Sequence, residues 1–267
     1  MLITLTSDFG NRDPFVGIMK GVIAGINPAV GVVDLTHGIP AQDVLAGALT
    51  LRHSIRYFPR GTIHVAVVDP GVGSSRRPLL IECDGSYLIG PDNGLLSLAV
   101  ADKQPNQVVH LSNPAYHLQP TSATFHGRDV FAPAAAHLSR GVSINSFGEK
   151  LTTYNQLALP KPIRETNEIS GAIIYIDNFG NLFTNIEEHD LTELAAERFE
   201  VVLATVRIPG PAHHYAAHSP GDFVAVVNSW GLLEIAVYCG DARQTSHAKV
   251  GDKVKVLVSQ CSGGQNE

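Results

Sequence analysis

The stretch TIHVAVVDPG, Thr62 to Gly71, decides the fold because it joins a near-continuous apolar run to an acidic turn. The run Thr62 to Val68 predicts a strand in a sheet that is covered on both faces. Asp69 and Pro70 follow directly and end the strand. Ligands of open α/β sheets collect at the carboxyl ends of the strands, so Asp69 is a candidate site residue.

Short apolar runs alternate with amphipathic segments from residue 1 to about residue 157. This alternation predicts an α/β domain with helices that begin at Asp13-Pro14, at Asp43 and at about Arg128. Asp84-Gly85 lies between two apolar runs and predicts a hairpin, which would make the sheet mixed. The other strands of this domain are predicted at Met1–Thr6, Val30–Leu35 and Val108–Leu111.

The second part of the chain has a different pattern. The segment LALPKPIRETNE carries prolines among polar residues and predicts a linker over residues 158–168. Residues 169–267 contain short apolar runs separated by Gly-rich turns, and Leu191 to Arg198 is the one helical segment. We therefore predict an N-terminal mixed-sheet α/β domain, residues 1–157, followed by a small C-terminal antiparallel β-barrel domain. The predicted strands of the barrel are Ala172–Ile176, Val201–Ile208, Phe223–Val227, Leu232–Tyr238 and Val254–Val258.

Composition excludes several classes of partner. The net charge is -6, and the 19 Lys and Arg residues are scattered, so no basic stripe for nucleic acid is present. No apolar stretch approaches the length that crosses a bilayer. Cys83, Cys239 and Cys261 are too far apart for a disulfide framework or a zinc site, and we expect free, mostly buried thiols. These features predict a cytoplasmic protein without nucleic-acid or membrane partners.

Polar residues near strand and helix ends are the candidates in the first domain. Asp8 follows the first strand in TLTSDFG, as Asp69 follows the third, although either residue could simply cap a turn. Arg76 follows closely in VVDPGVGSSRR, and a guanidinium beside a carboxylate fixes its direction. His126 lies at a predicted helix start in TFHGRDVFAPAAAHL.

A metal site is an alternative for the same residues. His126 and Asp129, together with Asp8, His64 and Asp69, could be the ligands of a binuclear hydrolase. No HxH, HExxH or DxH pair supports this arrangement, and we predict no metal.

Two stretches of the second domain could hold a flat heterocycle. In YIDNFGNLFTNI, Asp177 and Asn181 could pair with a heterocycle while Phe179 and Phe183 stack on it, although a tight turn would explain part of the pattern. In VVNSWGLLEIA, Ser229 and the single tryptophan, Trp230, lie at a predicted strand-to-strand turn.

Six ordered stretches resemble the S-adenosyl-L-methionine (SAM) hydrolases that form adenosine and methionine, also called SAM hydroxide adenosyltransferases. This family is related to the fluorinating and chlorinating enzymes. The stretches span nearly the whole chain and are TSDFG, VVDPGVGSSRR, GPDNG, TFHGRDVFAPAAA, IDNFGNLFTNI and NSWGLLEIA. The resemblance implies an enzyme that acts on SAM as substrate, without a cofactor.

The resemblance also implies roles for individual residues. It places an Asp, Arg and His triad at Asp69, Arg76 and His126. It further implies ribose diol binding by Asp8, ammonium binding by Asp177, carboxylate binding by Ser229 and adenine binding by Asn181. Members of the family are homotrimers, with each site between the first domain of one subunit and the second domain of its neighbour.

The chemistry of a sulfonium is consistent with this set of residues. The sulfur leaves C5′ as a neutral thioether, so the attack needs neither a metal nor a general acid. Our hypothesis is that Asp69 and His126 orient and deprotonate a water while Arg76 holds Asp69.

Two other functions stay open. One is a SAM halogenase, although DPGVG replaces the Thr- and Tyr-bearing halogenase sequence, and the halogenase loop is absent between Leu79 and Ile89. Trp230 also stands where halogenases can place an arginine. The other is a non-catalytic SAM or adenosine sensor, which would need neither Arg76 nor His126.

Overall fold

The computed structural model describes residues 1–194 and 199–258, with the backbone alone at residue 193. The chain divides into two compact units, Met1–Leu157 and a second unit that begins at Ala158. The segment predicted as a linker contains a short strand, which pairs with the strand that follows it.

The first unit is built on a six-stranded mixed sheet, as predicted. The strand order is β2-β1-β3-β5-β4-β6, in which β2, β1, β3 and β5 are parallel and β4 is antiparallel to both neighbours. Its strands are β1 (Leu2–Ser7), β2 (Gly31–Thr36), β3 (Ile63–Val67), β4 (Pro78–Cys83), β5 (Ser86–Pro91) and β6 (Gln107–His110). Its helices are α1 (Phe15–Ile26), α2 (Val44–Ser54) and α3 (Ala132–Ser139).

Burial explains why β3 lies at the centre of this sheet. All five residues of β3 are buried, which requires cover on both faces and agrees with the apolar run in the sequence. One face of the sheet is covered by α1 and α3, whose residues Met19 and Ile23 and whose alanines pack against it in one buried cluster. Each fully buried Ile or Leu contributes about 1.5–3 kcal/mol relative to an exposed one.

The helix starts were predicted with mixed success. Asp43 caps α2 by accepting a hydrogen bond from the Ala46 N–H at 2.9 Å, as predicted. The predicted Asp13 cap is wrong, because Pro14 occupies the N-cap position of α1 and no side chain caps this helix. A π-helical turn, Gly127–Phe131, leads directly into α3.

The second unit is a nearly closed antiparallel barrel, as predicted. The strand order is β11-β10-β14-β8-β9-β13-β12, and an isolated bridge between Ala212 and Val226 connects the two ends of the row. The strands are β7 (Ile163–Arg164), β8 (Glu168–Ile176), β9 (Leu182–Glu187), β10 (Phe199–Leu203), β11 (Val206–Gly210), β12 (Phe223–Val227), β13 (Leu232–Val237) and β14 (Lys253–Val258). The helices are α4 (Glu188–Glu193) and α5 (Ala242–Ser246).

Three details of the barrel differ from the sequence prediction. The run predicted as one strand, Val201–Ile208, forms the hairpin of β10 and β11, because Ala204 adopts a φ of 52° and reverses the chain. Strand β9 was not predicted, although a tight turn at Asn178 and Gly180 was considered just before it. Helix α4 begins earlier than predicted because Glu187 and Asp190 form a capping box, and residues 195–198 lie outside the described residues.

The parallel pairing of β1 with β3 positions the candidate site. Ser7 at the end of β1 is in register with Val67 at the end of β3. Asp8 and Asp69 therefore leave the sheet at the same edge, as expected for parallel strands.

Two further sequence predictions concern membranes and thiols. No helix in the described part of the chain is long and apolar enough to cross a membrane. Cys83 and Cys239 are free thiols, but Cys239 is exposed, which differs from the mostly buried thiols that we predicted. Cys261 lies outside the described residues.

Candidate active site

The structure brings Asp69, Arg76 and His126 together in one hydrogen-bonded group. Arg76 Nε donates to Asp69 Oδ1 at 2.9 Å, and Arg76 Nη2 donates to Asp69 Oδ2. The same Nη2 lies 2.7 Å from His126 Nδ1. The side chains of Arg76 and Asp69 are only 8% and 4% exposed, so their charges interact with little screening by solvent.

The contact with Arg76 fixes the tautomer of His126. A guanidinium has donors only, so His126 Nδ1 must accept the hydrogen bond and the neutral ring carries its proton on Nε2. Burial lowers the pKa of His126, and Arg76 lowers it further, while Asp69 and Asp129 act in the opposite direction. A neutral ring with an Nε2–H is therefore the form that this arrangement favours, and Nε2 is a donor rather than an acceptor.

A glycine allows the loop after Asp69 to reach the segment that carries His126. Gly73 adopts a φ of +78°, and a Cβ at this position would lie 2.3 Å from the carbonyl oxygen of Ala123. An L side chain is therefore excluded both by backbone conformation and by space. The VGSSRR loop can pack against the segment before His126 only because this position has no side chain.

The GPDNG stretch is hydrogen-bonded to the chain at the end of β3. Asn93 Nδ2 donates to the carbonyl oxygen of Val68, the residue before Asp69, at 2.9 Å. Asp92 accepts hydrogen bonds from Arg77 Nε at 2.8 Å and from the Asn155 N–H at 2.7 Å. Arg77 thus stabilises this loop and, unlike Arg76, makes no contact with Asp69. Sequence reasoning used GPDNG for the resemblance but did not identify Asn93 as a support of the site.

Asp69 and His126 line a cleft of about 700 Å³ in the first unit. One wall is formed by Phe9, Phe15 and Phe125, whose rings pack edge to face with centroids 5.3–5.9 Å apart. Sequence reasoning did not identify these rings as a binding surface. The other lining residues are Asp8, Gln42, Val67, Asp69, Pro70, Val72, Ser122, Thr124, His126, Gly127 and Arg128.

Asp8 presents a carboxylate to the same cleft. Its Oδ2 accepts the Gln42 N–H at 2.8 Å, and its Oδ1 has no partner within the described ranges. One oxygen is therefore held by the protein, and the other can accept hydrogen bonds from a ligand. Vicinal hydroxyls are donors of the kind that a carboxylate accepts.

Asp8, Asp69 and His126 line the same cleft, but His64 and Asp129, the other two alternative metal ligands, do not. His64 is 1% exposed, pairs with the Thr4 hydroxyl at 2.8 Å and does not line the cleft; burial lowers its pKa to about 4. Asp129 is held by both Nε and Nη2 of Arg128 and accepts the Ser122 N–H. Within residues 1–194 and 199–258, no group of three or more His, Cys, Asp or Glu side chains is arranged to hold a metal ion.

The second unit contains a pocket of about 840 Å³, and five predicted binding residues line it: Asp177, Phe179, Asn181, Phe183 and Ser229. Asp177 Oδ1 accepts the N–H groups of Phe179 and Asn181, each at 2.9 Å, which fixes the turn after β8. Phe179 is 73% exposed, so its ring is available to a ligand. The predicted residues therefore form one surface on this unit.

Trp230 lies in the turn between β12 and β13, as predicted. It is not among the residues that line the pocket. Its ring packs against Tyr175 and Phe183, with centroid distances of 5.1 and 5.0 Å. Phe183 itself lines the pocket, so Trp230 can affect a ligand through Phe183.

The pocket also contains a buried acid that sequence reasoning missed. Glu234 on β13 is 1% exposed and accepts a hydrogen bond from the Tyr215 hydroxyl at 2.8 Å. Burial and the nearby Asp177 raise the pKa of Glu234, while the hydrogen bond from Tyr215 opposes this shift. Burial is also the largest factor that raises the pKa of Tyr215. The available signal was an acid within the apolar strand LLEIAV.

Comparisons with known proteins extend over nearly the whole chain. Residues 3–148 match the SAM hydroxide adenosyltransferase N-terminal domain, and residues 171–255 match the C-terminal domain of the same family. The chain is 31% identical to an uncharacterized conserved protein from Thermotoga maritima whose crystal structure superposes with a TM-score of 0.90, covering 96% of this chain and 100% of that one.

Several relatives have assigned activities. An (R)-S-adenosyl-L-methionine hydrolase from Thermus thermophilus is 37% identical over 94% of this chain and 97% of its own length. A second one, from Salinispora arenicola, is 36% identical over 96% of this chain and 97% of its own length. A fluorinase from Actinoplanes sp. is 29% identical over 96% of this chain and 97% of its own length. With both domains matched and the hydrolases similar from end to end, the chain belongs to the SAM hydroxide adenosyltransferase family.

Proposed function

We propose that this protein hydrolyses SAM to adenosine and L-methionine by attack of water on C5′ of the ribose. The observation that carries the proposal is the hydrogen-bonded group of Asp69, Arg76 and His126, in which Asp69 and His126 line a cleft of about 700 Å³. Family membership and the hydrolase activity of the relatives support the same reaction.

The reaction balances without an added reagent. The water oxygen forms a bond to C5′, the C5′–S bond breaks, and its electron pair remains on sulfur, which becomes the neutral thioether of methionine. The water loses one proton, for which a carboxylate is a suitable acceptor. Proton acceptance by a positioned side chain contributes about 100-fold to 10,000-fold to such a step.

We assign this proton to Asp69. Each carboxylate oxygen has two lone pairs, so the contacts with Arg76 leave acceptor capacity on Asp69. His126 Nδ1 already accepts a hydrogen bond from Arg76, so His126 does not share the role of base with Asp69. Instead, His126 orients the water or the ribose oxygen through its Nε2–H. Arg76 holds both partners and, in this proposal, does not exchange a proton.

The remaining substrate contacts are also proposals. Asp8 would accept hydrogen bonds from the ribose diol through Oδ1, and the rings of Phe9, Phe15 and Phe125 would cover the sugar. In the second-unit pocket, Asp177 would hold the methionine ammonium, Ser229 the carboxylate and Asn181 the adenine, with Phe179 stacking on the base. We propose no cofactor, because a sulfonium leaving group needs no Lewis acid.

We further propose a homotrimer in which the cleft of one subunit is completed by the second-unit pocket of a neighbouring subunit. The proposed contacts to the reacting carbon lie in one unit, and those to methionine and adenine lie in the other. Co-expression of an Asp69→Asn chain with an Asp177→Ala chain tests this arrangement. Mixed trimers should regain activity that neither variant has alone, whereas sites confined to one chain would stay inactive.

The reaction itself is tested by incubation with SAM in ¹⁸O-labelled water and mass analysis of the adenosine. Label at the 5′ oxygen is expected, and unlabelled adenosine would refute attack by solvent at C5′. A parallel reaction with chloride or fluoride should yield no 5′-halo nucleoside, since the fluorinase relative is less similar than the hydrolases. Binding of SAM without turnover would indicate a sensor. A chelator should leave the rate unchanged.

We also propose a cytoplasmic location. The described cysteines, Cys83 and Cys239, are free thiols, which is the usual state in a reducing compartment. Fractionation of cells that express the full chain would test this location.

A further inference from the structure

A second group of Ser, His and Asp side chains lies next to the cleft, outside the triad described above, with a hydrogen bond between Ser and His and a close polar contact between His and Asp. Ser7 Oγ lies 2.7 Å from His37 Nδ1, and His37 Nε2 lies 3.1 Å from Asp34 Oδ1. Lys20 Nζ binds the other oxygen of Asp34 at 2.5 Å. Ser7 ends β1, and Asp34 belongs to β2, its parallel neighbour.

The order of these groups resembles a serine hydrolase triad, but the surroundings of Ser7 do not suit a nucleophile. Ser7 is 2% exposed and His37 is 5% exposed. Ser7 does not line the cleft, and its oxygen also accepts the Phe9 N–H at 3.3 Å. A nucleophilic hydroxyl must reach a substrate, whereas this hydroxyl is held between an imidazole and the backbone.

The hydrogen-bond directions follow from the partners. His37 Nε2 lies 3.1 Å from the negatively charged Asp34 carboxylate without hydrogen-bond geometry, and the charge favours a proton on Nε2 over a lone pair that would face the carboxylate. Nδ1 of the neutral ring then accepts the Ser7 proton, which leaves the Ser7 oxygen to accept the Phe9 N–H. Contacts with Lys20 and His37 lower the pKa of Asp34 although partial burial opposes this shift, so the carboxylate is charged at neutral pH.

This group is connected to Asp8 at three points. Phe9, the residue after Asp8, donates to Ser7. The Gly10 N–H donates to the carbonyl oxygen of His37 at 2.8 Å. The loop after His37 continues to Gln42, whose N–H donates to Asp8 Oδ2 at 2.8 Å. The two loops at the ends of β1 and β2 therefore hold each other, and Asp8 lies between the contacts.

We propose that Ser7 and His37 are positioning residues that fix the Asp8 carboxylate for recognition of a vicinal diol. The inference rests on the proposed role of Asp8 in SAM hydrolysis. Loss of the group would let the Asp8 loop move, so the energetic advantage of a substrate with both ribose hydroxyls would decrease.

The chain offers a matched control three residues earlier on the same strand. Thr4 pairs with His64 Nδ1 at 2.8 Å, and both residues are buried, but this pair does not contact the Asp8 loop. Thr4→Val removes a buried hydroxyl–imidazole contact of the same kind as Ser7→Ala. A general loss of stability should affect both variants, whereas loss of diol recognition should affect Ser7→Ala alone.

The test compares wild type, Ser7→Ala, His37→Gln and Thr4→Val by steady-state kinetics with SAM and by calorimetric binding of adenosine and 2′-deoxyadenosine. Ser7→Ala and His37→Gln should raise KM about tenfold, with kcat changed much less, and should lose most of the preference for adenosine. Thr4→Val should keep both values. Two different substitutions keep the test informative if one of them prevents folding.

The outcomes separate the two proposals. A wild-type protein that does not release adenosine would refute the proposed function itself. An active wild type with unchanged KM and diol preference in the folded Ser7 and His37 variants would overturn the positioning role alone. Labelling of Ser7 by a fluorophosphonate probe would also overturn it, since that result requires an accessible nucleophile.

Discussion

The proposed roles of Asp69 as proton acceptor and His126 as hydrogen-bond donor can be separated by substitution. Asp69→Asn removes the proposed proton acceptor, so kcat should fall about 100-fold to 10,000-fold, equivalent to about 2.7–5.4 kcal/mol. His126→Gln can keep a donor near the position of Nε2 but loses the acceptor for Arg76 Nη2. Arg76 retains its two contacts with Asp69, so we expect a loss of only about tenfold, or ~1.4 kcal/mol.

The assay is adenosine release at saturating SAM, measured by chromatography on variants whose folding is checked by circular dichroism. This check matters because Asp69→Asn leaves Arg76 without its counter-charge at a site that is 8% exposed, which can cost about 3–5 kcal/mol of stability. His126→Asn serves as a control, since it can keep the acceptor near Nδ1 but loses the donor at Nε2. If His126→Gln falls as far as Asp69→Asn, the imidazole accepts the proton and our reasoning from the tautomer is wrong.

Three further outcomes are expected. Gly73→Ala should lower both stability and kcat, whereas Gly61→Ala, with a similar φ of +82° but no atom within 4 Å of the added Cβ, should cost only the backbone strain of about 1–2 kcal/mol in urea unfolding. Burial holds the pKa of His64 at about 4, below the 6.5 of the unfolded chain. The unfolded state therefore binds the extra proton first, and stability should fall by about 3 kcal/mol as the pH decreases from 6.5 to 4; His64→Gln should lack this part of the pH dependence. Tyr215→Phe removes the donor to buried Glu234 and should lower the stability of the protein by about 1–3 kcal/mol and raise KM for SAM, and an unchanged melting temperature and KM would contradict that contact.

Local patterns in the sequence were sufficient to predict much of the fold. The apolar run before Asp69 predicted a strand covered on both faces, and all five residues of β3 are buried. Asp84-Gly85 predicted the hairpin that makes the sheet mixed. These features depend on side-chain hydrophobicity and on turn conformation, which act over a few residues. Strand β9 was missed because the turn residues before it dominated the pattern.

The sequence by itself determined the chemistry that was available at the site, since the resemblance and the strand ends identified Asp69, Arg76 and His126. Only the tertiary structure decides which nitrogen of His126 accepts a hydrogen bond, because this depends on which nitrogen faces the guanidinium. The same holds for Ser7 and His37, which are 30 positions apart and meet because β1 and β2 pair in parallel. For Trp230, the sequence predicted a ligand contact that the structure does not show. Its ring packs against Tyr175 and Phe183 and is not part of the pocket lining. Such contacts join residues that are distant in the chain, and no local propensity encodes them.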